Sequence, residues 1–313
     1  MTSGGGHKLI RFVLKRFLWG IPVLLVVATL TFILMQVVPG GPFDKEKPLP
    51  PEIKANVEAK YHLDKPIWQQ YLLYLKALLR GDLGPSYKYL GRDVADIIRD
   101  TLPVSLQLGL LALLVAIASG LVLGILAVVR PYSWIDRTGM ILATAGISIP
   151  NFVMGALLVL FLAHMYKFFP PALWEGWRHT ILPALTLGLG PAAFIARLMR
   201  ASLLETLHQD FVRTARSKGL GEGAILLKHV LKNSVMPVVT FLGPLAATLV
   251  TGSFIVEYIF SIPGMGKFFI TAVTNRDYPL IMGVTLVYSA LILAANLIVD
   301  IAYAYLDPRV RIE

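Results

Sequence analysis

An all-α integral membrane protein with about six transmembrane helices is the fold class this sequence predicts, and three observations carry the prediction. The 313 residues are 56% hydrophobic and only 15% charged, with a mean hydropathy of +0.68, which is too apolar for an ordinary soluble domain. Apolar runs long enough to cross about 30 Å of hydrocarbon lie near 15–38, 103–129, 138–163, 181–200, 237–260 and 281–304. The basic residues gather on alternate connections between those runs, as they do on the inner side of membrane proteins. One transmembrane domain with one extramembrane insert follows: 1–38 as N-terminal segment and first span, 39–102 as an external insert, and 103–313 as the core.

The first span opens after His7, Lys8, Arg11, Lys15 and Arg16. Its apolar region is too long for a signal peptide and lacks a small-residue cleavage site before Pro39, so it reads as a retained helix with its N-terminus inside. In that orientation the inner segments hold fifteen bases against six acids, while 39–102 holds ten against nine. The net charge of +10 is thereby explained by the bilayer rather than by nucleic acid.

In the insert, Asp64 and Pro66 predict a helix start, and Trp68, Leu72, Leu75 and Leu79 follow at helical spacing until Gly81 stops it. Two readings fit this stripe, resting on the membrane interface or binding a partner. The fourth and fifth spans are joined by a polar, basic segment instead of a short loop. Asp210 caps a helix through Lys218, Gly219 takes a left-handed stop followed by Leu220, and a second helix begins near Glu222. Its apolar face comprises Ile225, Leu226, Leu227, Val230 and Leu231. Such a knob reads as a docking element, or as an interfacial helix pair held by anionic lipid.

Polar residues inside spans should face protein or water. Gln107 and Asn151, the latter just after Pro150, are candidates for a translocation path, with an interhelical hydrogen bond the competing role for Asn151. Asp300 is expected to pair with Arg197 or Arg200, and Glu257 to sit near the outer end of its span. The Ser261–Gly266 loop carries Pro263, Gly264 and Gly266, residues of tight turns.

Resident chemistry finds no support. There is no Cys, no H-E-x-x-H, no convincing G-x-S-x-G and no metal spacing among the six His; His229 reads as a packing or interfacial residue. Gly266-Lys267 fails as a phosphate loop because Ser261 replaces the first Gly and Phe268 the hydroxyl residue. An ion-driven secondary carrier would require inverted repeats and interrupted helices with ion ligands at the midplane, and the sequence displays neither. An intramembrane enzyme would require a nucleophile with its base or paired carboxylates, and these are missing too.

Taken together, Thr214-Ala215 with Gly219 and Pro237, and, in order, Pro39-Gly40-Gly41-Pro42, Leu63-Asp64-Lys65-Pro66, Arg80-Gly81-Asp82-Leu83-Gly84, Ser148-Ile149-Pro150, Ile262-Pro263-Gly264-Met265-Gly266 and Leu306-Asp307-Pro308-Arg309 resemble the ABC-importer permeases of the oligopeptide/dipeptide type over essentially the whole chain. Arg213 stands where the general motif of the inner loop has Glu, and Gly41 where this branch often has Asp.

The resemblance implies a type I importer permease fold in a bacterial inner membrane, both termini cytoplasmic, without enzymatic activity of its own. It implies a homologous second permease, two cytoplasmic ATPases that bind ATP and Mg, an extracytoplasmic substrate-binding protein, and no cofactor on this chain. ATPase coupling falls on Asp210, Arg213, Thr214, Ala215, Lys218, Gly219 and Leu220 within helices at about 210–233, and binding-protein contact on Pro263, Gly264 and Gly266. The cargo would be peptides, or nickel chelates, glutathione or oligosaccharides as in relatives of the same type.

The charge distribution makes a direct prediction. Cys introduced at Lys54 should react with an impermeant thiol reagent in intact cells, and Cys at Lys218 only after permeabilisation; the opposite pattern would invert the topology.

Overall fold

The computed structural model describes residues 4–38, 58–251 and 253–306; Pro39-Gly40-Gly41-Pro42 and Asp307-Pro308-Arg309 lie outside them. Among the described residues the regular structure is helical, apart from an isolated bridge between Pro85 and Asp93. The helices are α1 (Gly4–Val37), α2 (Ile67–Leu78), α3 (Val94–Val129), α4 (Trp134–Ser148), α5 (Asn151–Leu158, continuing as a π-helical turn Val159–Met165), α6 (Trp177–Leu207), α7 (Asp210–Ser217), α8 (Glu222–Ser234), α9 (Met236–Val250), α10 (Phe254–Ile259), α11 (Met265–Asn275) and α12 (Tyr278–Leu306).

Four of these, α1, α3, α6 and α12, are long and apolar enough to cross a membrane unaided, and two bent pairs raise the number to six. The third span is therefore not one rod. It folds back by 113° between α4 and α5, because Pro150 cannot donate a helical hydrogen bond and holds Ile149 in extended backbone. The second pair bends by 49° between α8 and α9; α8 carries Glu222, Lys228 and Lys232 at exposed positions, so the apolar span begins at Met236. The helix expected over 237–260 likewise ends at Val250 and resumes at Phe254. Helix interruptions are thus present after Ser148 and after Val250.

The chain divides into two compact units. The first contains the described residues up to Pro103 together with 264–293. Its core gathers Val94, Ile97, Met265, Leu280, Ile281 and Val284. Asp277, fully buried, organises the polar side of this unit. Its carboxylate accepts from the Ser86 hydroxyl and from the backbone N–H groups of Tyr87 (3.1 Å), Lys88 (3.4 Å) and Leu280 (3.4 Å). The bond from Leu280 makes Asp277 the N-terminal cap of α12.

Helix α2 begins after Pro66 as expected and closes when Gly81 turns left-handed (φ 75°), with the Asp82 N–H reaching Ala77 O at 3.0 Å. Its packed face is aromatic: the Tyr71 ring lies 5.2 Å from Phe32, and its hydroxyl is 2.6 Å from that of Thr29. The stripe predicted from spacing points the other way, and Trp68, Leu72 and Leu79 are exposed.

The second unit contains Val104–Pro263 and the chain from Ala294. Here α3 approaches α6 closely through glycine. A Cβ on Gly120 would lie 2.7 Å from the Ala192 carbonyl oxygen, one on Gly124 2.7 Å from Met199 Cβ, and one on Gly188 2.7 Å from the Ala112 carbonyl oxygen. Gly120 and Gly124 form the small-xxx-small pattern that lets membrane helices pack backbone to backbone.

A Val at Gly124 should therefore push α3 off α6 and destabilise the unit by about 1–3 kcal/mol, read as a lower melting temperature in detergent. Gly139→Val, at a position with open space around it, is the control; equal melting of both variants would refute the close contact.

Candidate functional site

The polar segment between α6 and α9 folds as the two-helix knob that its sequence predicts, with changes at four residues. Asp210 does not cap α7. Gln209 occupies the cap position in extended backbone, without a side-chain bond, and Asp210 is the first helical residue. There its carboxylate favours the positive helix end through charge alone and lies 3.6 Å from Arg213.

The turn after α7 is a left-handed stop. Gly219 has φ 77°, its N–H reaches Arg216 O at 2.9 Å, and the Leu220 N–H reaches Ala215 O at 3.3 Å, which satisfies two end carbonyls of the helix. Nothing lies within 4 Å of where a Gly219 Cβ would be. The demand for Gly there is purely conformational. Leu220 was expected to cover this turn and is instead 42% exposed.

The knob is anchored by four side chains. Val212 and Ala215 from α7, and Ile225 and Val230 from α8, are buried in the same core as Met199 and Leu203 of α6 and Val238 of α9. Ala215, one of the predicted coupling residues, therefore faces inward, while Arg213, Thr214, Lys218, Gly219 and Leu220 form the exposed side. A π-helical turn over Leu226–Val230 explains the remaining difference. Its wider winding brings Ile225 and Val230, five apart, to one face and leaves Leu227, expected on that face, 62% exposed.

Across the Gly219 turn, Arg216 clamps Glu222 with two hydrogen bonds of 2.7 and 3.1 Å. Hydrogen bonding from Arg216 holds the Glu222 carboxyl below its ordinary pKa. Both groups are solvated, so the clamp sets the angle between α7 and α8 more than it stabilises them.

Just beside the knob in sequence, towards the C-terminal end of α6, Arg200 makes a two-pronged pair with Asp136, both bonds 2.6 Å, and its guanidinium lies over the Tyr132 ring at 5.9 Å. Asp136 is almost wholly buried and also accepts from the Tyr132 N–H at 2.9 Å. Arg197 or Arg200 was expected beside Asp300; of the two, Arg200 is committed to Asp136. The signal available for it was Ser133-x-x-Asp136, in which Ser133 caps α4.

The other predicted residues are dispersed. Gln107 and Asn151 are exposed, Asn151 at the mouth of the α4–α5 bend. Pro263 is exposed, but Gly264 and Gly266 are buried, and Gly266 lies inside α11 and not in a turn. Glu257, expected near the outer end of its span and within reach of a binding protein or the interface, is fully buried.

The sequence matches two family descriptions: "Binding-protein-dependent transport system inner membrane component" over residues 120–312 and the N-terminal region of a binding-protein-dependent transport system membrane component over 9–109. It is 46% identical over 303 residues to the dipeptide transport system permease protein DppB of Bacillus subtilis, covering 97% of this chain and 98% of that protein. It is 42% identical over 305 residues to the oligopeptide transport system permease protein OppB of Escherichia coli, covering 97% and 100%. Among solved structures, a chain of the inward-facing MetNI methionine ABC transporter superposes with a TM-score of 0.53 at 19% identity, over 67% of this chain and 94% of that one. An amino acid ABC transporter structure with histidines gives 0.53 at 17% identity, over 67% and 94%. These two likenesses establish the fold alone.

At Gly219, Val should cost about 1–3 kcal/mol of backbone strain and Asn much less. Hydrogen exchange at the Gly219 and Leu220 amides should quicken in Gly219→Val at unchanged membrane level; unchanged exchange would show that the positive φ is not required.

Proposed function

The chain belongs to the family of binding-protein-dependent transport system inner membrane components, and from that premise we propose that it is the permease subunit of an ATP-driven importer of dipeptides and oligopeptides. The observation that carries this reading is identity of 42–46% to dipeptide and oligopeptide permeases across nearly the full length of both partners. The knob supports it physically: an exposed face of Arg213, Thr214, Lys218 and Leu220 stands on side chains locked into the core of two spans.

In this proposal the partners are a homologous second permease, two cytoplasmic ATPase subunits holding ATP and Mg, and an extracytoplasmic binding protein that delivers cargo. This chain binds no nucleotide or other cofactor and catalyses no reaction. It lies in a bacterial cytoplasmic membrane with both termini and residues 201–236 inside and 40–100 outside. The parts are 1–38 as the first span, 39–102 as the insert and 103–313 as the core. Closure of the ATPases pushes the exposed side of α7. Because Val212, Ala215, Ile225 and Val230 share a core with Met199 and Val238, that push displaces α6 and α9 as bodies instead of deforming a loop. Repacking such a core is costly, so the motion reaches the spans. Outside, Pro263 contacts the binding protein; within, Gln107 and Asn151 offer polar points along the path.

The test is uptake of a labelled dipeptide into proteoliposomes holding the full set of subunits. Uptake should require ATP and the binding protein, and Gly219→Val should hydrolyse ATP with little transport. The chain purified alone should not bind ATP. Stoichiometric ATP binding by it, or uptake driven by an ion gradient without the ATPases, would overturn the proposal. Uptake of a nickel chelate, glutathione or an oligosaccharide in place of peptide would reassign the cargo only.

A further inference from the structure

Within the first compact unit, a cleft of about 480 Å³ opens between the last turns of α1, the start of α12, helix α2 and the loops flanking it, a size in the range of small-ligand sites. Its two halves differ in chemistry. Phe32 and Met35 of α1, Met282 of α12 and Leu73 of α2 supply apolar walls, whereas Lys60, Lys76 and Arg80 bring cations. Lys76 lies in the last turn of α2 and Arg80 in the turn that follows it, and both line the cleft. The only acid among the lining residues, Asp82, already accepts the Gly84 N–H at 2.8 Å. The Tyr74 hydroxyl, also at the cleft, is buried without a hydrogen-bond partner among the described residues.

The depth of α2 says what medium this cleft meets. Tyr71 reaches Thr29, seven residues before Gln36, the first strongly polar residue after the apolar stretch of α1. Seven residues of helix span roughly 10 Å, so the Tyr71 hydroxyl dips to the level of lipid chains while Gln70 lies beside Gln36 at 3.5 Å, which sets α2 at the boundary between chains and headgroups. Its unpacked face is apolar to match, with Trp68 and Leu72 more than half exposed. An aromatic and aliphatic face at that depth belongs against lipid.

We propose that this cleft binds an anionic phospholipid of the leaflet nearest α2, its phosphate held by Lys60, Lys76 and Arg80 and its acyl chain lying along Phe32, Met35 and Met282. Tyr74 donates to a headgroup or glycerol oxygen. A free phosphate would leave the apolar walls unused. A zwitterionic peptide would find no uncommitted pair of carboxylates for its ammonium. The site goes beyond the transport reading and does not depend on it.

The full chain, purified with its co-assembled subunits from nanodiscs of phosphatidylglycerol or of phosphatidylcholine, is analysed by native mass spectrometry for retained lipid. Phosphatidylglycerol should be retained preferentially, and a photoreactive phosphatidylglycerol should crosslink to peptides containing Leu73, Tyr74 or Met282. Lys76→Gln with Arg80→Gln removes two cations, each worth about 1 kcal/mol toward an anionic surface, so retention should fall about 30-fold; Lys76→Arg with Arg80→Lys should keep it. Both positions are exposed, so folding is preserved, and crosslink mapping does not require transport. Equal retention of the two lipids, retention unchanged in the Gln variant, or crosslinks confined to other helices would each overturn the site.

Discussion

The glycine contact between α3 and α6 is the constraint on which the rest of the second unit depends. In hydrocarbon there is no water to drive helices together, so association rests on close packing and on satisfied polar groups. Gly120, Gly124 and Gly188 let the two helices approach until backbone carbonyls of one meet the other where a Cβ would stand. Gly109 does the same for α3 against the end of α9 at Leu249. With α3 held to α6 at one end and to α9 at the other, the two helices that carry the knob are bound to a common strut. The knob inherits that rigidity, because its buried residues enter the same core.

The knob separates a packed side from an exposed one along a single helix. Val212 and Ala215 recur on the buried side of α7; Arg213, Thr214 and Ser217 lie on the solvent side, where the Thr214 and Ser217 hydroxyls bond back to the carbonyls of Asp210 and Arg213, both at 3.1 Å. The left-handed stop at Gly219 turns the chain without a loop, and the Arg216–Glu222 clamp spans it. Bare cations and the exposed Leu220 and Leu227 then form an amphipathic surface too small to be a core and too structured to be a linker.

Much of this was legible in the sequence, for local reasons. Apolar run length gives the spans, and Gly219 declares its own conformation because a left-handed stop admits few other residues. Ile149-Pro150 explains why the helix breaks, but the size of the 113° angle is not written in a dipeptide and depends on the packing of α4 and α5 on α6. The side on which Ala215 falls could not be read, since Ala suits either face. The π turn that expels Leu227 leaves no mark in hydrophobic periodicity, which assumes a constant winding. Asp277 reads as an ordinary loop acid because its partners Ser86 and Tyr87 lie some 190 residues away. The partner of Arg200 was hidden for the same reason: many acids were possible, and only the fold selected Asp136.

That selection constrains how the second unit can move. A buried ion pair adds little to stability when made, yet separating it leaves an uncompensated charge at about 3–5 kcal/mol. Asp136 is buried and doubly bonded to Arg200, so the start of α4 and the C-terminal part of α6 travel together in any low-energy motion. Tyr132, stacked on the guanidinium and bonded to Asp136, carries the preceding loop with them. Relative motion within the third span must then occur beyond α4. Ile149 and Pro150 meet that need: the Ile149 N–H closes α4 on Ala145 O, the carbonyl of Pro150 opens α5 through Val153 and Met154, and Pro150 itself donates nothing back to α4. Beyond the break α5 packs a face of its own on α6, where Gly155 is buried against Thr186, so α5 is placed by that contact and not by continuity with α4.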